Sequence, residues 1–339
     1  MPAAFANVTG GKWVDGPVID CLQYCNYSEA IFRELRQGGV DAIHTTISYH
    51  EDFDETVANI AKWSELFAAH GDLIFHGFTG ADVRRARTEG RTAVFFGLQN
   101  CSTIEDDIGL VEICHGLGVR FMQLSYNNQS LLASGCYEDD DAGITRMGRE
   151  VIAEMNRLGM VVDMSHSGPR STLQAIEISK RPIAVTHANP HRWHPVLRNK
   201  SDDILKALAA SGGMLGFSLY PHHLKSGSLC TLSEFCGMIA RTAELTGVEA
   251  LGIGSDLCQD QPNEVVQWMR RGTWTKEPLD PLNPIVFPPQ PDWFRSNRDF
   301  PNIAEGLAKA GFASTEIAAI MGENWLRFFE RSFAPVAGR

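Results

Sequence analysis

Short apolar runs rich in β-branched and aromatic residues alternate along this chain with longer amphipathic stretches. The short runs fall at residues 17–20 (PVID), 42–48 (AIHTTIS), 92–98 (TAVFFGL), 120–126 (RFMQLSY), 160–166 (MVVDMSH), 183–188 (IAVTHA), 213–219 (GMLGFSL) and 250–256 (ALGIGSD). Between them, residues 56–71, 148–159, 201–213 and 232–247 carry apolar positions at helical spacing, and most of these stretches close on a glycine of the kind that caps a helix C-terminus. The strand runs are nearly continuous in apolar residues rather than alternating, which is the mark of parallel strands covered on both faces. Eight βα units in succession therefore predict a (β/α)8 TIM barrel in preference to a doubly wound sheet. No composition shift divides residues 1–339, so one domain is expected. Residues 257–301 break the rhythm with many prolines and with Trp268, Trp274 and Trp293, and their length fits a lid over the barrel mouth.

In such a barrel the C-terminal strand ends face the reactive site, and polar residues collect there. The third run leads into Gln99 and Asn100, the fourth into Tyr126, Asn127 and Asn128, the fifth into His166, the sixth into His187 and the eighth into Asp256. A single histidine in this position is commonly no more than a hydrogen-bonded loop residue. Two histidines on neighbouring strands, with an aspartate from the eighth, are a donor set that suits a borderline divalent ion such as zinc.

Charge and composition narrow the partners. The chain has 339 residues, 44% of them hydrophobic and 21% charged, with a formal net charge of −11. That balance argues against a nucleic-acid or anionic-membrane surface and in favour of a small-molecule substrate. No run of eighteen apolar residues spans a bilayer, and MPAAFANVTGGKW has neither the basic nor the apolar part of a secretory signal, so a cytoplasmic protein is expected. The eight cysteines form no CxxC pair and are read as free thiols in a reducing compartment. A homodimer is the one assembly left open.

VVDMSHSG at 161–168, PIAVTHA at 182–188, the RNKSDD that follows, GIGSDL at 252–257 and the terminal MGENWLRFF occur in an order and spacing that resembles the renal (membrane) dipeptidase family, peptidase family M19. The resemblance covers nearly the whole chain. It implies an amidohydrolase-type barrel that hydrolyses dipeptides with a hydroxide bridging two zinc ions. It further implies that His166 and His187 hold the second metal, that Arg198 meets the substrate carboxylate, and that Asp256 stands near the substrate amine and the reacting water.

Four departures are as informative as the matches. Where the family has DGHND, giving a histidine and an aspartate to the first metal, this chain has Asp20-Cys21-Leu22-Gln23-Tyr24. The family's bridging glutamate is Gln99, a neutral amide left to contact substrate, and its strand-four histidine is Tyr126, which can donate to an oxyanion but carries no charge. One zinc or none is therefore expected, and a binuclear centre is not. Three readings stay open: a single-zinc hydrolase acting on an amide or related C–N bond of a small carboxylate substrate; a metal-free enzyme using acid–base groups or one of the thiols Cys21, Cys136 and Cys258; and a non-catalytic binding protein. Tyr24, Tyr126, Tyr137 and Trp193, with the lid tryptophans, could surround a methylated amine through their π-faces.

Overall fold

The computed structural model describes residues 13–272, 275–276, 280 and 282–334. Its strands are β1 (Ile19–Gln23), β2 (Ala42–Ser48), β3 (Ile74–His76), β4 (Thr92–Leu98), β5 (Val119–Gln123), β6 (Val161–Asp163), β7 (Ala184–Ala188), β8 (Met214–Phe217) and β9 (Leu251–Ile253). All pairings are parallel in the order β2-β1-β9-β8-β7-β6-β5-β4-β3, and a further β2–β4 pairing closes the ring and leaves β3 outside on β4. The result is the (β/α)8 barrel. The helices are α1 (Glu29–Gln37), α2 (Phe53–Ala69), α3 (Gly80–Glu89), α4 (Gly109–Gly116), α5 (Arg146–Leu158), α6 (Pro169–Ile178), α7 (Asp202–Ala210), α8 (Leu232–Thr246), α9 (Asn263–Arg271), α10 (Phe300–Lys309), α11 (Ser314–Ala318) and α12 (Asn324–Ser332). None is long and apolar enough to cross a membrane.

The two faces of the strands explain the continuous apolar runs. Cys21, Phe95, Phe121, Val161, Ala184 and Met214 form one buried cluster inside the barrel, while Val18, Ile43, Val94, Met122, Val162 and Val185 belong to a second that packs under the helices. The C-terminal helix α12 plugs the end of the barrel opposite the site. Phe329 lies with its ring centroid 5.2 Å from Phe95 and 5.6 Å from Phe121, and Trp325 donates its indole N–H to the Ile253 carbonyl at 3.0 Å. Gly97 has a packing reason to be glycine: a Cβ there would stand 1.9 Å from Nε2 of His44, an imidazole buried in the barrel interior.

Several boundaries move. The first strand is Ile19–Gln23 rather than 17–20, because its pairing with β2 runs on beyond the apolar tetrapeptide to Gln23, while Asp20 pairs with Ile253 of β9. The runs at 120–126, 160–166 and 250–256 leave the sheet at Gln123, Asp163 and Ile253, so Tyr126, His166 and Asp256 stand in the loops beyond the strands. Of the segment 257–301, Trp274 lies outside the described residues. Its helix α9 carries Val266 and Met269 into a cluster with Tyr49 and Tyr126, against which Tyr24, Trp268, Ile285 and Phe287 pack.

Candidate active site

The loop after β6 and strand β7 bring two imidazoles together. His166 Nε2 stands 2.9 Å from His187 Nε2. Each outer nitrogen is also engaged: His166 Nδ1 lies 2.7 Å from Asn127 Oδ1, and His187 Nδ1 lies 2.9 Å from the Thr186 hydroxyl, which donates to Asp163 at 2.6 Å. Burial, and then the nearby Arg198 cation, push both imidazoles well below the usual histidine range, so the pair is neutral at physiological pH. Asn127 reaches His166 from a left-handed backbone (φ 63°), a conformation asparagine tolerates better than most side chains.

Arg198 completes this cluster. Only 3% exposed, it donates through Nη2 to His166 Nε2 and to the His187 carbonyl, both at 3.2 Å, and through Nη1 to the Ser165 carbonyl. Its loop is pinned on either side: Asn199 Oδ1 accepts from the Asn189 N–H at 3.0 Å, and Lys200 donates to the Ser167 carbonyl at 2.8 Å. Burial pushes the Lys200 ammonium down to about 7, with Arg198 adding to the shift.

The cluster opens into a cavity of about 870 Å³ whose walls include Tyr49, Gln99, Tyr126, His166, Arg198 and Asp256. Gln99 donates both amide hydrogens, to Thr46 at 2.8 Å and to the Tyr49 hydroxyl at 3.0 Å, leaving its carbonyl oxygen as the group it can offer a ligand. Tyr126 stacks on the His166 ring at 4.2 Å between centroids and meets Tyr49 edge-on at 5.1 Å. Asp256, also left-handed (φ 57°), makes no side-chain hydrogen bond to the described residues. Its carboxyl is pushed up to about 7 by burial, against the lowering effect of Arg198 and with a further push from Asp20. A carboxyl poised in this way near neutrality is a candidate acid–base group.

The aromatic and thiol candidates divide. Tyr126 and Tyr137 line the cavity, together with Tyr49 and Tyr220, which no sequence motif singled out. Tyr24 instead packs edge-on behind Tyr49, Trp193 lies beside Arg241, and Trp293 donates to the Cys230 carbonyl at 2.7 Å. Cys258 is on the cavity wall, whereas Cys21 is not at the rim at all: it points into the barrel core, where burial raises its thiol pKa. Cys136 is buried beside Asn127.

A zinc ion was tested against these donors. The positions that would serve a first metal hold Leu22, Tyr24 and Gln99, and among the described residues no group of three or more His, Cys, Asp or Glu side chains could hold a metal. Two imidazole nitrogens bound to one tetrahedral zinc at about 2.0–2.1 Å stand roughly 3.3 Å apart. Here the two Nε2 atoms stand 2.9 Å apart, and an Arg198 guanidinium nitrogen lies 3.2 Å from His166 Nε2. Two neutral imidazoles with no third such donor grouped beside them among the described residues are fewer protein ligands than the three or four a zinc site ordinarily has.

The membrane dipeptidase (peptidase family M19) model matches residues 25–269. The chain belongs to that family. A Pseudomonas aeruginosa amidohydrolase structure is 35% identical with a TM-score of 0.89, covering 94% of this chain and 97% of that one. A metallo peptidase from Rhodobacter sphaeroides, liganded with a phosphinate mimic of the dipeptide L-Ala-D-Ala, shares the fold at 18% identity and a TM-score of 0.76, with 94% and 99% coverage. Among curated proteins, the dipeptidase tcpJ of Claviceps purpurea is 23% identical over 85% of this chain and 61% of its own length, and an uncharacterized dipeptidase of Schizosaccharomyces pombe is 28% identical over 61% and 50%. The chain thus spans about half to three fifths of these curated relatives.

Proposed function

We propose that this M19 member is a hydrolase that cleaves an amide or related C–N bond in a small carboxylate-bearing substrate, and that ordinary L,L-dipeptides are poor substrates for it. The observation that carries the reading is Asp256: a carboxyl with no hydrogen-bond partner among the described residues, pushed up to about 7 in the same cavity as the Tyr126 hydroxyl and the Arg198 guanidinium. As carboxylate, Asp256 takes a proton from water as the water attacks the carbonyl carbon, and it returns that proton to the departing amine. Tyr126 donates to the oxygen that becomes negative, and burial keeps its phenol protonated for that purpose. The N–H groups that Arg198 does not spend on Ser165, His166 and His187 are available to the substrate carboxylate. Gln99 offers its carbonyl to a substrate N–H.

His166 and His187 are the metal ligands that family membership suggests, and zinc content is at most one ion per chain in this reading. The segment 257–301, whose α9 packs on Tyr49 and Tyr126, acts as a lid. The partner is a small molecule rather than nucleic acid or membrane, and the protein works in the cytoplasm with a homodimer as its assembly. Dipeptidase names among the relatives support hydrolysis, while the loss of a bridging carboxylate at Gln99 and of a charged oxyanion donor at Tyr126 argues for a different substrate.

A second reading is favoured by the four tyrosines on the cavity wall, Tyr49, Tyr126, Tyr137 and Tyr220, whose π-faces suit a methylated amine beside Asp256. A panel of dipeptides, N-acyl amino acids and N-methylated amino acids tests both. Turnover of common dipeptides at a kcat/KM of about 10⁴–10⁸ M⁻¹s⁻¹, the range of enzymes on their own substrates, would sink the claim of altered specificity.

A further inference from the structure

We propose that the cavity takes a dicarboxylate, with one acidic group of the substrate at Arg198 and a second held by the Arg270 guanidinium of α9 together with the Tyr220 hydroxyl.

The charge on the cavity wall is the reverse of the charge on the chain. The protein carries a formal net charge of −11, yet the cations Arg198, Lys225 and Arg270 line the cavity, and Asp256 is the one carboxyl beside them among the described residues. A local excess of positive charge on an acidic protein draws an anionic ligand to that place. A single substrate carboxylate is satisfied by one guanidinium, which Arg198 supplies from the loop after β7. Arg270 comes from a different element, the last turn of α9.

The neighbours of Arg270 hold it at the cavity. Met269, next to it in the chain, is buried in the cluster with Tyr49 and Tyr126, and the Met269 carbonyl lies 3.3 Å from His50 Nε2. Arg270 Nη2 donates to the Tyr220 hydroxyl at 2.7 Å, and its other N–H groups make no hydrogen bond to the described residues. The phenol oxygen accepts that bond, so its own hydrogen is free to donate; burial keeps that hydrogen in place against the opposing effect of Arg270. Spare guanidinium N–H groups beside a phenol O–H are a donor set that a carboxylate satisfies and an apolar side chain leaves unpaired. Tyr137, also on the wall, feels both arginines: burial raises its phenol, while Arg198 and then Arg270 lower it. The two cations thus act on one shared space.

The test is equilibrium binding to the full chain and uses no turnover, so its failure is distinct from failure of the hydrolase reading, on which it rests only for the contact of Arg198 with the substrate carboxylate. Isothermal titration calorimetry compares succinate, glutarate and adipate with butyrate, pentanoate and hexanoate, the monoacids of the same chain lengths. The best dicarboxylate should bind about ten-fold or more tighter than its monoacid. Arg270→Met should cut that preference to less than about two-fold, whereas Arg271→Met, which removes a like charge from the next position and off the cavity wall, should keep it. The Arg270 side chain is exposed, so its replacement leaves the packing of α9 intact. The proposal is overturned if no dicarboxylate binds, if the best one binds no tighter than its monoacid, if Arg270→Met keeps the preference, or if the two variants lower it equally.

Discussion

Asp256 and Tyr126 share one cavity wall, and the Asp256 charge adds to the burial that raises the Tyr126 phenol, so the phenol stands ready to donate in the same cavity as a carboxyl pushed up to about 7. Base and oxyanion donor are thereby kept in opposite protonation states over the same pH range, which is the condition for the two to act in one step.

Activity should follow the Asp256 carboxylate. With its carboxyl pushed up to about 7, kcat/KM rises as pH increases through that value and levels off above it. Replacing Asp256→Asn should lower kcat/KM by about 10²–10⁴ and remove this limb from the profile. Initial rates between pH 5 and 9 on the best substrate of the panel check both; an unchanged profile would assign the base elsewhere.

The same group should cost stability at alkaline pH. Its folded-state value lies above the ordinary 3.8, so the folded protein holds this proton more tightly than the unfolded chain does. The stabilisation it contributes is full below about pH 4 and is lost as pH rises to about 7. Asp256→Asn should therefore be more stable than the unmodified protein at pH 8, by about 1–3 kcal/mol after allowing for its partial exposure to the cavity, with the difference vanishing towards pH 4. Urea denaturation at the two pH values measures it.

Tyr126→Phe isolates the oxyanion donor. The ring keeps its stacking on His166 at 4.2 Å, so only the hydroxyl is removed. The expected outcome is a fall in kcat of about 10²–10³ with KM little altered, the signature of an interaction made in the transition state. A change confined to KM would make Tyr126 a binding residue instead.

Gly97→Ala should damage the barrel itself. The new Cβ would meet His44 Nε2 at 1.9 Å, and His44 is held from the other side by its Nδ1 contact to the Cys21 carbonyl at 2.9 Å. Overpacking of this kind costs about 1–3 kcal/mol and should lower the thermal midpoint measured by circular dichroism.

The architecture was legible in the sequence because a parallel barrel buries both faces of every strand, and that requirement writes eight apolar runs into the chain whatever the site does. The closing pairs bear this out: β1, β2 and β4 to β9 are the eight runs, while β3, three residues long and outside the ring, left too little apolar pattern to be noticed. Family membership was legible for a related reason, since motifs such as VVDMSHSG and GIGSDL fix local turns that must recur in order. What each site side chain touches was not legible. Tyr49 and Tyr220 reach the cavity from loops with no distinguishing pattern, Asn127 owes its contact with His166 to a left-handed backbone, and Cys21 faces the core because of strand register. The sequence also placed His166, His187 and Arg198 in one neighbourhood without saying what lies between them. That depends on where a guanidinium from the loop after β7 stops relative to imidazoles on β7 itself and on the loop after β6, which is set by packing across residues far apart in the chain.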